Sequence, residues 1–212
     1  MMDIAASSAA TVRGLSDPSA HCRDYAGRLA AMMAATDWAP VATLAQELAD
    51  CTVSRRQVFI CGNGGSLGNA IHLANDFLYG VAKHPGRGLR VTALGANPAV
   101  LTCLANDEGY ERVFELQLAE LANPGDILLV LSGSGNSPNV VRALRKAREM
   151  GVRSYAILGF GGGRSAELAD VVIHSPVDDM QISEDMQLVV GHMLMQWLWN
   201  NREALAAQHL GS

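Results

Sequence analysis

Two short runs in the sequence can hold an anion without using a positive charge. Cys61-Gly62-Asn63-Gly64-Gly65-Ser66 and Leu131-Ser132-Gly133-Ser134-Gly135-Asn136-Ser137-Pro138 each follow a short apolar run and lead into a helical pattern. Glycines let backbone N–H groups approach a ligand closely and permit positive φ. Ser66 is expected to cap its helix, and Pro138 suits a first helical turn. A helix N-terminus contributes unpaired N–H groups and the positive end of its dipole, which together suit phosphate. The hydroxyls of Ser132, Ser134 and Ser137 can add donors. The first run is not a nucleotide P-loop, because no Lys-Ser/Thr pair follows, and it lacks the GxGxxG spacing of dinucleotide folds. Either run alone reads equally well as a tight turn. Two of them, both carrying serine at strand ends, read as a phosphate site.

A second constellation involves titratable side chains. His72 and Asp76 are four apart and share a helix face. Glu184 and His192 are eight apart on a later helical segment, ~80° off two full turns and ~12 Å apart in rise, so they meet one ion only by leaning together. Histidine and carboxylate ligands in fourfold coordination suit zinc. His21, His84, His174 and His209 have no such companions and read as structural or surface residues.

These residues need elements to place them. Apolar positions at helical spacing predict helices over about 19–35 and 41–51, with Asp37 as a cap between them. Five short β-rich runs follow, at 57–61, 90–94, 127–131, 154–158 and 171–174. Helices are predicted between them near 66–81, 111–122, 137–150 and 164–169, and a last one from about 182 to beyond 199. Apolar strands separated by helices predict an α/β fold, a doubly wound parallel sheet of five strands covered on both faces. Residues 1–17 read as a flexible N-terminal tail and 18–212 as one domain with two leading helices.

Composition narrows the partners. The 212 residues are 49% hydrophobic and 17% charged, with a formal net charge of −5. The balance favours a large core with some surface hidden in an oligomer, and disfavours nucleic acid or an anionic membrane. No apolar run reaches the ~18 residues of a membrane span. Cys22, Cys51, Cys61 and Cys103 show no CxxC spacing and read as buried thiols in a reducing, cytoplasmic setting.

With CGNGGS after one strand, SGSGNS after a later one and Ala105-Asn106-Asp107 between them, the chain resembles the sugar isomerase (SIS) family. Its closest likeness is to the phosphoheptose isomerases, which convert sedoheptulose 7-phosphate to a heptose 7-phosphate. The likeness runs from about Asp24 to Trp199 and implies a flavodoxin-like fold that binds a phosphorylated sugar. It implies substrate contacts at Asn63, Gly64, Gly65, Ser66, Asp107, Ser132, Ser134, Ser137 and Glu184. It implies zinc ligands at His72, Asp76, Glu184 and His192, with Asp76 and His192 as the acid–base pair. It also implies a homotetramer.

The sequence departs from that family in four places. Asp76 replaces a glutamate, Glu184 a glutamine and Gly133 a threonine. Leu78-Tyr79-Gly80 stands where Thr-Gly-Arg is usual, leaving Lys83 and Arg87 as the next cations, so a different sugar phosphate is a second reading. A third is a non-catalytic member that binds a partner such as the replication initiator. The histidine at 192 speaks for the enzyme, because the initiator-binding relative lacks one there.

Overall fold

The structure, a computed structural model, describes residues 14–84 and 87–209. Most of the expected tail lies outside those residues. The chain divides into two compact units, residues 1–35 and 36–212. In the first, helix α1 (Pro18–Ala35) is capped by Asp17, whose carboxylate accepts from the N–H groups of Ser19 and Ala20 at 3.0 and 3.2 Å. None of its residues is buried.

The second unit opens with α2 (Ala39–Ser54) and then alternates strands and helices. The strands are β1 (Gln57–Cys61), β2 (Arg90–Ala93), β3 (Ile127–Ser132), β4 (Arg153–Leu158) and β5 (Val171–His174). The helices that follow α2 are α3 (Gly65–Asn75), α4 (Pro98–Asp107), α5 (Val113–Leu121), α6 (Pro138–Met150), α7 (Gly163–Leu168) and α8 (Met180–His209). All strand pairs are parallel and the spatial order is β2-β1-β3-β4-β5. The expected five-stranded, doubly wound sheet is therefore present.

Alternation along the strands divides the core between two faces. Val58, Ile60, Leu129 and Leu131 pack toward α2, α3 and α8, whereas Phe59, Cys61, Leu128 and Val130 pack toward α5 and α6. All eight are buried, which explains why the strands read as continuous apolar runs. The chain leaves β1 toward β2 on one side and returns to β3 on the other. That reversal opens a crevice beyond the carboxyl ends of β1 and β3, where ligands of such sheets bind.

Four local expectations are corrected. Helix α4 has no counterpart among the predicted elements, although Asn97-Pro98 announces it: the Asn97 side chain accepts from Ala99 and Val100 N–H at 3.1 and 3.3 Å, and Pro98 opens the first turn. The helix expected over 111–122 begins as a 3-10 turn, Tyr110–Arg112, before α5. The helix expected over 66–81 changes at Asp76 into a π-helical turn, Asp76–Gly80. Finally, only Cys51 and Cys61 are buried, with thiol pKa values pushed up by desolvation to about 12, whereas Cys22 and Cys103 are exposed. All four are free. Among the described residues no helix is long and apolar enough to cross a membrane.

Candidate active site

The two glycine- and serine-rich runs sit side by side at the sheet's reversal point. Asn63, Gly64, Gly65 and Ser66 after β1, Ser132 at the end of β3, and Gly133, Ser134 and Ser137 beyond it, line one cleft of about 270 Å³. Met180 and Glu184 of α8 close its far wall, and no lining residue is basic. Anion attraction in this cleft rests on hydroxyls and on the N-termini of α3 and α6.

Backbone geometry explains the glycines. Gly64 adopts φ 56° and ψ −123°, a conformation that L side chains avoid, and it is the residue that precedes α3. The helix therefore starts at Gly65, and Ser66 lies inside the first turn instead of capping it. The Ser66 hydroxyl is buried and accepts a 3.0 Å bond from Gln187 Nε2, so its own proton remains available to a ligand. In the second run Gly135 has φ 65°, and a Cβ there would lie 2.0 Å from the Gly162 carbonyl oxygen. Ser132 Oγ accepts from Gly135 N–H at 3.0 Å, and Ser134 Oγ from Asn136 N–H at 3.3 Å. Ser137 stands at the head of α6 with no side-chain capping bond.

Helices α3 and α8 run alongside each other in the same sense. Ser66 and Asn69 bond Gln187, Leu73 packs on Gly191, and Gly80 faces Met195. Further along this seam, His72, Asp76 and His192 place one ligand atom each within 4.8 Å of one another. The Nε2 atoms of the two histidines are 2.9 Å apart, with the rings at 83°. Asp76 Oδ2 lies 3.4 Å from His72 Nε2 and 3.8 Å from His192 Nε2. Asp76 is also where the helix widens into its π turn, a distortion that often marks functional positions. Bonds of ~2.0–2.2 Å to a tetrahedral ion hold ligand atoms about 3.3–3.5 Å apart, so these three side chains suit a divalent metal with one position open.

Two expected site residues stand elsewhere. Glu184 is not in the metal-ligand group. Its carboxylate lies over the Gly65 α-carbon, where an added Cβ would meet both Oε atoms at 2.4 Å. The reason is the seam's register: eight residues separate Glu184 from His192 by ~12 Å of rise, and a parallel neighbour does not shorten that distance. Asp107 ends α4 and does not line the cleft; it accepts from Asn106 Nδ2 at 2.7 Å and from the Cys103 thiol at 3.5 Å. That contact raises the Cys103 pKa. Neither Asn139 nor Tyr110 is singled out by the sequence, yet both bond Asn63. No local motif marks them, because their partner is 76 or 47 residues away.

A doubly wound parallel sheet with two uncharged, glycine- and serine-rich loops at its reversal point defines an α/β domain suited to take an anion there. The model of the SIS domain family matches residues 22–159, and the chain belongs to that family. It is 39% identical over 158 residues to the phosphoheptose isomerase of Nitratidesulfovibrio vulgaris (strain DSM 19637 / Miyazaki F), covering 74% of each chain. Among solved structures, the phosphoheptose isomerase from Francisella tularensis superposes with a TM-score of 0.78 at 25% identity, covering 86% of this chain and 98% of that one. The corresponding Neisseria gonorrhoeae structure gives 0.76 at 27% identity, covering 85% and 95%. The family resemblance read from the paired loops is borne out.

Proposed function

We propose that this chain is an aldose–ketose isomerase that interconverts sedoheptulose 7-phosphate and a heptose 7-phosphate. The observation that carries the reading is the α3–α8 seam, with an anion cleft at one end and a His–Asp–His cluster further along it. Ser66 and His72 are six residues apart, ~9 Å of helix. An extended chain advances ~1.2 Å per bond, so a sugar of six or seven carbons has the reach to put its ester phosphate in one site and its carbonyl at the other. A triose phosphate is too short. The relatives named phosphoheptose isomerase support the same substrate.

Ser66, Ser132, Ser134 and Ser137 donate to the phosphate, assisted by backbone N–H groups at Gly64 and Gly65. Asp76 takes the proton from C1 of the ketose and returns it to C2, while His192 carries a proton between the two oxygens. The Asp76 carboxylate is held with Oδ2 toward the histidines, while its Oδ1 accepts from Asn75 Nδ2 at 3.2 Å. His72, Asp76 and His192 would hold zinc, which when bound supplies positive charge beside the developing enediolate oxygens. A sugar-hydroxyl role for Asp107 rests on the family resemblance alone, because Asp107 lies outside the cleft, whereas Glu184 belongs with the phosphate cleft. A homotetramer fits α1, which buries nothing by itself, and the exposed Met193 and Trp197 of α8. The clustering of His72, Asp76 and His192 favours this enzyme over a partner-binding role.

The test is turnover of sedoheptulose 7-phosphate beside five- and six-carbon ketose phosphates, with and without a chelator. Preference for the heptulose and loss of turnover on chelation support the reading. Faster turnover of a five-carbon ketose phosphate, or no isomerisation of any, overturns it.

A further inference from the structure

We infer that Tyr110 is a positioning residue for phosphate binding, acting through Asn63; this rests on the phosphate cleft described above. One donor in the network is unambiguous. The backbone N–H of Val140 donates to Asn139 Oδ1 at 2.9 Å, which fixes which end of that buried amide is oxygen. Asn63 Nδ2 donates to the same oxygen at 2.9 Å, and Asn139 Nδ2 returns a 2.9 Å bond to Asn63 Oδ1. The two amides therefore form a closed pair that joins the turn after β1 to the first turn of α6.

Tyr110 completes the arrangement. Its hydroxyl lies 2.9 Å from Asn63 Oδ1 and, because that atom is an oxygen, must donate to it. Both acceptor sites of Asn63 Oδ1 are then filled, and one Nδ2 hydrogen is committed to Asn139. The capacity left to Asn63 is a single N–H donor, on a residue that lines the cleft. The amide pair fixes which end of Asn63 is the donor, and the tyrosine fills its last acceptor site and holds the side chain in place, so the cleft meets only the N–H that an anion needs. The hydroxyl also anchors the turn that follows α4 to the phosphate loop.

Tyr110 is 51% exposed, so Tyr110→Phe removes one hydroxyl with little core disturbance. Inorganic phosphate is titrated calorimetrically into the intact protein and the variant, and KM and kcat are measured with sedoheptulose 7-phosphate. The expected result is a ~3- to 10-fold rise in phosphate Kd, the scale of one neutral hydrogen bond, with an equal rise in KM and unchanged kcat and melting temperature. Equal phosphate affinity in the two proteins overturns the inference and leaves the cleft standing. A fall in kcat with phosphate affinity intact also overturns it, placing Tyr110 at the reacting end. An unmodified protein that binds no phosphate sinks the cleft and the inference together.

Discussion

At the head of the α3–α8 seam the protein offers amides, hydroxyls and helix termini; ~9 Å further along it offers two imidazoles and a carboxylate. The first region has no basic lining residue, and its donors are held in place by glycine backbone and by bonds such as Gln187 to Ser66. The second has its three ligand atoms within 4.8 Å of one another on partly exposed side chains. Neutral donors act side by side, so losing one weakens binding by one hydrogen bond. In the proposed reaction the His–Asp–His cluster acts as a set, so losing one member should remove the chemistry. Variants at the two ends should therefore separate binding from turnover.

The largest effect is expected at the cluster. Asp76→Asn keeps the shape of the side chain and removes the proposed base, so kcat should fall by ~10²- to 10⁴-fold, the usual contribution of a positioned base. Calorimetry with inorganic phosphate should give an unchanged Kd. A variant that loses phosphate affinity along with turnover would show that the two ends are not separable.

Ser66→Ala should act in the opposite sense. A hydrogen bond to a charged partner is worth ~1.5–3 kcal/mol, so KM for the sugar phosphate should rise roughly 10- to 100-fold. The substitution also strips buried Gln187 Nε2 of its acceptor, and thermal unfolding should register about 1 kcal/mol of lost stability. Metal content per chain should not change. Loss of metal in this variant would erase the contrast.

The two regions also differ in how far the sequence reveals them. The phosphate loops are contiguous, and glycine next to serine at the end of an apolar run has a local physical meaning, so their residues can be named and grouped. The strands are legible for the same reason: Ile127–Leu131 is buried on both faces and reads as one apolar run. The cluster joins residues 120 positions apart. Helical spacing pairs His72 with Asp76 and sets Glu184 ~12 Å from His192, but it does not say which part of α8 lies opposite the pair; the ligand set that includes Glu184 comes from the family resemblance. The Ser66 cap fails because Gly64 turns the chain one residue early. Asn139 and Tyr110 are invisible because a side-chain amide pair leaves no periodicity.

Gly191→Ala probes the seam itself. Alanine improves helix propensity by about 1 kcal/mol, but its Cβ would lie 2.2 Å from Leu73 Cδ2, and Leu73 is fully buried. Overpacking of this kind costs ~1–3 kcal/mol, so the net result should be a melting temperature lower by a few degrees. Because His192 follows directly and His72 precedes Leu73, metal affinity should fall by roughly tenfold while phosphate affinity holds. Unchanged metal affinity would mean that the cluster tolerates a shift of α8.

The smallest effect should come from Glu184, and it decides to which end that residue belongs. Its carboxylate lies against Gly65 at the head of α3 and, among the described residues, has no hydrogen-bonding or ion-pair partner. A phosphate entering the cleft meets this like charge. In a cleft open to water, two charges a few ångströms apart repel by about 1 kcal/mol, so Glu184→Gln should tighten phosphate binding by about fivefold. Metal content and kcat should stay as they are. If the variant instead loses metal and turnover with phosphate affinity unaltered, Glu184 swings along α8 to serve the cluster, as the family resemblance implies. The phosphate cleft would then have no acidic wall when substrate is bound.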